Sequence, residues 1–373
     1  MKETEMIKIL FFIETLEGGG AEKVLRNLVN NMDQSKFDIT VQTVWPCDFD
    51  KYLAEGIKHK AMYPVRNSIN TARYRFEAET GLAYKFHIKD DYDIECAYLE
   101  AGATKVMSAS TNKKAKKLAW VHCDLKKASK NSEEFVRKTK PYYEKFDKVL
   151  CVSENVRDRF KELFGDVVPA QVMYNTIDDG EICGKAAVPM PEGVRKQKFT
   201  VVTLGRLTEP KGYDRLLKAH KRLVDDGIEY DLWILGEGPD RPKLEQYIKE
   251  NDLEDSVKLF GFLENPYPFI READLLACSS RWEGLSTFVT EGVILGKPIV
   301  TTDCTGMREL LGDSEYGLIT ESDENALYEG MKKMISDAGL RAKYAEKAAK
   351  RGKDFSAKAL AEKTQEYFEE QMD

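Results

Sequence analysis

Two series of short apolar runs alternate with helical periodicity, and a break rich in Gly and Pro separates them. The first series opens with Lys8-Ile-Leu-Phe-Phe-Ile13. After the loop Glu17-Gly-Gly-Gly20, Ala21, Val24, Leu25, Leu28 and Val29 recur at i, i+3, i+4, i+7 and i+8, which places them on one helical face. Strand-like runs follow at residues 37–44, 93–98, 118–121 and 148–152, with helical patterns at 71–86 and 133–143. Ser153 stands where it can cap the helix after the 148–152 run. Beyond residues 171–174, the stretch from Asp178-Asp-Gly-Glu to Pro189-Met-Pro-Glu-Gly193 carries no sustained periodicity and reads as a linker. The alternation then restarts, with strand candidates at 199–204, 231–235, 257–260, 275–278 and 298–301. The tail from Leu340 is nearly all helix, interrupted around Gly352–Ser356.

Strands that alternate with helices build a mostly parallel sheet. The expectation is therefore an α/β protein of two Rossmann-like domains, residues 1–185 and 186–356, facing each other across a cleft. Ligands of such sheets bind beyond the carboxyl ends of the strands, where helix N-termini point. The site is thus expected in the loops that follow the strands. A length of 373 residues suits two or three domains.

Composition narrows the class further. The seven cysteines are odd in number, widely spaced and without a C-x-x-C, which argues against a disulfide framework or zinc ribbon and for a reduced cytosolic compartment. The apolar run near the N-terminus is too short for a signal peptide, and no stretch approaches the roughly 18 apolar residues of a membrane span. Net charge is -7, but residues 1–185 carry +1 and residues 186–373 carry -8. Within the first half, residues 101–150 hold 13 Lys or Arg against 5 Asp or Glu, pointing to an anionic partner for that half alone.

Three loops carry candidate chemistry. Gly18-Gly-Gly-Ala-Glu22 lies between strand and helix, where glycines let backbone N–H groups approach an anion, yet it is neither G-x-G-x-x-G nor a P-loop. Gly205-Arg206-Leu-Thr-Glu-Pro-Lys211-Gly212 places two cations on one loop after a strand, a pairing suited to a diphosphate. Arg281-Trp-Glu283-Gly284-Leu285-Ser286-Thr287-Phe288-Val-Thr-Glu291 puts one carboxylate before a helix and one about a turn inside it. Ser286 is the cap, and free N–H groups near Leu285–Phe288 face the site. His122 ends the 118–121 run at the same edge. Asp48-Phe-Asp50 and Asp91-Tyr-Asp93 read as surface carboxylates, so no metal site is expected.

In this order, Gly19-Gly-Ala-Glu22, Trp120-Val-His122, Cys151-Val-Ser153, Gly205-Arg206, Lys211-Gly212, Gly236-Glu-Gly238-Pro239, Phe260-Gly-Phe262 and Glu283-x7-Glu291 resemble the retaining glycosyltransferases of the GT-B fold, family 4 (group 1). The resemblance covers essentially the whole chain and looks nearest to bacterial enzymes of cell-surface polysaccharide assembly. It implies a nucleotide-sugar donor, with UDP favoured, and a glycan or lipid-linked acceptor. Arg206 and Lys211 would neutralise the diphosphate, with Gly19 and Gly20 approaching it. Glu291 would bond the ribose, and Glu283 would hold the transferred sugar. The backbone of Ser286, Thr287 and Phe288 would meet the diphosphate and sugar, the backbone near Phe262 and Leu263 would meet the base, and Gly236, Gly284 and Leu285 would also belong to the donor-binding site. His122 would contact the sugar from the acceptor side. Helix 357–373 would cross back onto the first domain. Ser286 replaces a common proline, and Thr305-Gly-Met-Arg308-Glu309 departs from a glycine-rich loop.

The activity so implied is transfer of a hexosyl or N-acetylhexosaminyl group without metal or cofactor. Glu283, His122, Arg206 and Lys211 are the catalytic candidates. The alternatives are a non-catalytic nucleotide-sugar-binding protein of the same fold and, less favoured without G-x-G-x-x-G, a dinucleotide oxidoreductase. Lys113, Lys114, Lys116, Lys117, Lys126, Lys127 and Lys130 are expected near His122, where they would hold a cytoplasmic enzyme against an anionic inner membrane face. No nucleic-acid partner is expected.

Overall fold

Both series of apolar runs form parallel sheets. In a computed structural model, which describes residues 6–16, 19–129 and 132–372, the first sheet contains β1 (Ile7–Phe12), β2 (Phe37–Thr43), β3 (Lys58–Ala61), β4 (Ile94–Ala97), β5 (Lys116–Val121), β6 (Lys148–Cys151) and β7 (Ala170–Val172). Their order is β3-β2-β1-β4-β5-β6-β7, with every neighbouring pair parallel. The second sheet contains β8 (Thr200–Leu204), β9 (Asp231–Leu235), β10 (Val257–Gly261), β11 (Leu275–Cys278), β12 (Ile299–Thr302) and β13 (Leu318–Thr320). It runs β10-β9-β8-β11-β12-β13, again parallel throughout. All residues of β9 and β11 are buried, and so these strands read as continuous apolar runs rather than alternations.

Three strands escape the sequence pattern, β3, β7 and β13, and all are sheet edges. β3 is Lys-His-Lys-Ala and mostly exposed, with lysines that discourage edge pairing. β13 has only three residues, none fully buried. The single helix expected over 71–86 is two, Ser68–Thr80 and Leu82–His87, because Gly81 adopts φ +74 and ends the first.

The chain divides into two compact units, one reaching Thr176 and resuming at Ala357, the other Ile177–Ser356. The division therefore falls before the expected 185/186 boundary. Part of the expected linker is a helix, Asp179–Ala186, capped by the Asp178 carboxylate on the Glu181 N–H. Ile182 and Ala186 are buried. The helix packs on helices Tyr267–Glu272 and Thr287–Ile294 of the second unit, and Asn265 Nδ2 donates to the Lys185 carbonyl at 3.0 Å. Its eight residues supply too little periodicity to be read beside so much Gly and Asp.

The last helix, Ala357–Glu370, belongs to the first unit. It packs on helix Gly20–Asn31, and the ring of Phe368 lies 6.1 Å from that of Phe11 on β1. Gln365 Oε1 accepts from the Asp33 N–H at 2.6 Å. Truncating the fully buried Phe368 to Ala should cost about 3–5 kcal/mol in the unfolding of the first unit. Truncating Lys36, whose pair with Glu369 is exposed and screened by solvent, should leave stability nearly unchanged. Urea titration of both variants checks the contrast.

Candidate functional site

Strand order reverses between β8 and β11 in the second sheet, so the loops beyond their carboxyl ends part in opposite directions and leave a crevice. Two of the three candidate loops follow these strands. The first ends in a short 3₁₀ turn, Glu209–Lys211, and Gly212 at φ +66. A Cβ at Gly212 would collide with the Ser279 carbonyl oxygen beyond β11. Glycine is thus what lets the two loops touch. At Gly205 a Cβ would stand 3.0 Å from Tyr213 Oη, while Lys211 Cε, at 3.5 Å, lies at ordinary contact distance.

Across this contact Lys211 Nζ donates to both oxygens of Glu283, at 2.6 and 2.9 Å. Ser280 donates to Glu283 Oε1 at 2.6 Å, and Ser279 to the Lys211 carbonyl at 2.8 Å. Arg281 reaches back to the first loop: its N–H meets the Pro210 carbonyl, and its guanidinium holds Asp214 through two bonds of 2.8 and 2.6 Å. Burial works to depress the Lys211 pKa, but the charge of Glu283 and its hydrogen bond outweigh it and hold the ammonium above its ordinary value. Lys211 is therefore a fixed cation at neutral pH. Arg206, on the same loop, is exposed, and its side chain has no hydrogen-bond or ion-pair partner among the described residues.

Helix Thr287–Ile294 starts at Ser286, whose hydroxyl accepts from the Val289 N–H at 3.4 Å. The N–H groups of its first turn have no carbonyl partner within the helix. Gly284 and Leu285 are buried against Gly306, where φ is +81 and a Cβ would stand 2.5 Å from the Gly284 oxygen. Phe288 is buried and Thr287 half-buried. Glu291, one turn in, is 3% exposed and accepts from Tyr267 Oη at 3.2 Å. The two glutamates thus take different neighbours, Lys211 and Ser280 for Glu283, Tyr267 for Glu291. Gly236, at φ +133, lies so close to Gly205 that a Cβ would strike its carbonyl oxygen. Phe262 is 69% exposed beyond β10, and Leu263 is half-buried.

In the first unit, Gly19 caps helix Gly20–Asn31 without a side chain of its own. The Glu22 carboxylate lies over Gly19 and accepts from Thr15 at 3.3 Å. Gly18 lies outside the described residues. His122 follows β5 with its N–H on Glu100 Oε2 at 3.0 Å. Its ring lies 4.8 Å from that of Tyr98 and stacks at 6.1 Å on Trp120. Burial pushes its pKa down to about 3, against a hydrogen bond to the Tyr98 backbone. Nε2 is buried without a hydrogen-bond partner among the described residues.

The basic stretch is not one surface beside His122. Lys116 and Lys117 open β5, roughly 16–20 Å of strand from His122 at about 3.3 Å per residue, and Lys113 and Lys114 precede the strand. Only Lys126 and Lys127 share the His122 end, and Lys126 is paired with Glu162 at 3.1 Å. Lys130 lies outside the described residues. The strand itself separates charges that are neighbours in sequence. Asp48, Asp91 and Asp93 are exposed, and the Asp93 carboxylate accepts from the Lys8 N–H at 2.8 Å. The Asp50 side chain is outside the described residues.

Sequence reading passed over Ser279, Ser280, Tyr267 and Arg215. The serines had a positional signal, directly after a strand. Arg215 had none, being a buried cation in an amphipathic helix.

Two outcomes follow. Gly212→Ala should lower the melting temperature: a non-glycine residue at that φ costs about 1–2 kcal/mol, before the clash with Ser279. For His122 the folded pKa lies below the ordinary 6.5, so the unfolded chain binds more protons between about 3 and 6.5. Its contribution to stability is therefore lost as pH falls below 6.5. Thermal melts of His122→Gln should lose less stability between about pH 7 and 5 than the parent.

Comparison with known proteins gives the site a context. A family model described as glycosyltransferase family 4 matches residues 18–181, and one described as glycosyl transferases group 1 matches residues 187–351. An N-acetylgalactosaminyltransferase of Campylobacter jejuni, acting on N-acetylgalactosamine-N,N'-diacetylbacillosaminyl-diphospho-undecaprenol, is 36% identical over 60% of this chain and 60% of its own length. The chain thus spans about 60% of the length of the first curated relatives it matches. An amylovoran biosynthesis glycosyltransferase of Erwinia amylovora is 22% identical over 96% of this chain and 98% of its own. Among solved structures, HepE of Anabaena in complex with UDP and glucose superposes with a TM-score of 0.76 at 18% identity, covering 98% of this chain and 100% of that one. With two family models spanning both units and a matching architecture, the chain belongs to the group 1 glycosyltransferases and has their two-domain α/β GT-B fold.

Proposed function

We propose that this protein moves a hexosyl or N-acetylhexosaminyl group from a UDP-sugar to a hydroxyl of a glycan or lipid-linked acceptor, with retention at the anomeric carbon. The observation that carries the reading is the Lys211–Glu283 pair at the β8/β11 reversal, with the exposed guanidinium of Arg206 on the same loop. UDP is favoured because HepE was solved with UDP and glucose. The acceptor class is supported by the Campylobacter jejuni relative, whose name records a diphospho-undecaprenol substrate and an α linkage.

In this mechanism Arg206 and Lys211 share the donor diphosphate with the first-turn N–H groups of Ser286, Thr287 and Phe288. Glu283 keeps Lys211 charged and in place, and faces the positive charge that develops at the anomeric carbon. The bond from that carbon to the phosphate oxygen breaks, and the acceptor oxygen bonds to the carbon on the same face. The acceptor's proton passes to the departing phosphate. Glu291 takes the ribose hydroxyls. His122 Nε2 accepts from a hydroxyl of a sugar bound at the first unit, and at pKa about 3 it is neutral and donates no proton at pH 7. The cations that stabilise the leaving group are protein side chains, so the reaction requires no divalent metal.

Removing a single leaving-group donor typically costs about 10²–10³ in rate. Lys211→Ala and Arg206→Ala should each lower turnover by about that factor in a UDP-release assay over a panel of UDP-sugars. Chelation with EDTA should leave the parent rate unchanged. Proton NMR of early product should show the donor's anomeric configuration. Tight UDP binding without turnover of any sugar nucleotide would instead favour a non-catalytic binding protein.

A further inference from the structure

Arg215 lies on helix Tyr213–Asp225, 7% exposed, and among the described residues it forms no hydrogen bond to Lys211 or Glu283. Its guanidinium is spent on the loops that follow three neighbouring strands. Nε donates to the Ser279 carbonyl at 2.7 Å and one terminal nitrogen to the Ser280 carbonyl, both beyond β11. That nitrogen also meets Thr302 Oγ1 at 3.2 Å at the end of β12. The other reaches the Ser322 carbonyl and hydroxyl, at 2.9 and 3.2 Å, beyond β13. Thr302 in turn donates to the Ser280 carbonyl at 2.7 Å.

These bonds fix the main chain of Ser279 and Ser280 from below, and the hydroxyls of the same serines act above. Ser279 holds the Lys211 carbonyl, and Ser280 holds Glu283 Oε1. Burying a guanidinium is costly unless its donors are satisfied. Here they are satisfied by three main-chain carbonyls and two hydroxyls, with no carboxylate among these partners. A lysine has a single charged nitrogen and cannot span three loops as a planar fork does. Were the role only to fill space, an apolar side chain would meet no such cost.

We propose that Arg215 is a positioning residue: by clamping Ser279 and Ser280 to the ends of β12 and β13, it sets the distance between Lys211 and Glu283. The consequence for sugar transfer rests on the function proposed above, whereas the geometric claim stands without it.

The test is the reactivity of the Lys211 amine towards an acylating reagent, read by mass spectrometry on the full-length folded protein. In the parent, the ion pair protects Lys211. Glu283→Gln removes the partner and sets the fully released rate. Arg215→Lys, with its fold checked by circular dichroism, should raise Lys211 acylation towards that rate and should add nothing in the Glu283→Gln background. Thr302→Val removes one strut of the clamp and serves if Arg215→Lys does not fold; it should raise acylation in the same direction by less. Turnover of the UDP-sugar should fall by about 10–100-fold in Arg215→Lys, the range seen when a group that orients a reacting side chain is lost. Parent-like Lys211 acylation in folded Arg215→Lys, or in Thr302→Val where only that variant folds, overturns the proposal. So does a further rise on adding Arg215→Lys to Glu283→Gln. If acylation responds while no sugar nucleotide is turned over, the clamp stands and the transferase reading fails. If turnover is present and acylation is unmoved, the reverse holds.

Discussion

The ion pair between Lys211 and Glu283 is the interaction on which the second unit's site depends. It joins the loops that leave β8 and β11 in opposite directions, so it closes the crevice that the strand order opens. The pair forms because Gly212 lets one main chain lie against the other. Lys211 stays charged because Glu283 offsets the cost of burying it. A carboxylate beside a lysine looks at first like a neutralised phosphate site. The pair keeps an ammonium protonated and aimed, while the guanidinium of Arg206 stays exposed nearby on the same loop.

The first unit solves a different problem with the same architecture. A column of rings runs from Phe368 on the last helix through Phe11 and Tyr98 to His122. The histidine is therefore held by ring packing, with no carboxylate on its ring among the described residues. Burial there keeps it neutral and unsuits it for acid–base work at neutral pH. Among the described residues, no helix is long and apolar enough to cross a membrane.

Much of this was legible in the sequence because parallel sheets write themselves as apolar runs between helices. The central strands of both sheets, the Ser153 and Ser286 caps and the loop positions of Lys211 and Glu283 follow from that pattern. Edges are harder: β3 is polar because it is an edge, and β13 is too short to show a period. Helix Asp179–Ala186 hid in a glycine-rich stretch, although the Asp178 cap and packing on other helices of the second unit hold it. The lysines of residues 113–130 look like one patch because sequence distance ignores that a strand carries its two ends apart. Arg215 was invisible for the opposite reason, as its partners are carbonyls from residues 64 to 107 positions away.

The claim at the centre of this account is that Lys211 and Arg206 recognise a diphosphate. Titration calorimetry with UDP and with uridine, on the parent, Lys211→Ala and Arg206→Ala, tests it most directly. The account predicts that the parent prefers UDP over uridine, and that each substitution removes much of this preference while leaving uridine affinity unchanged. A UDP preference that survives both substitutions intact would contradict it.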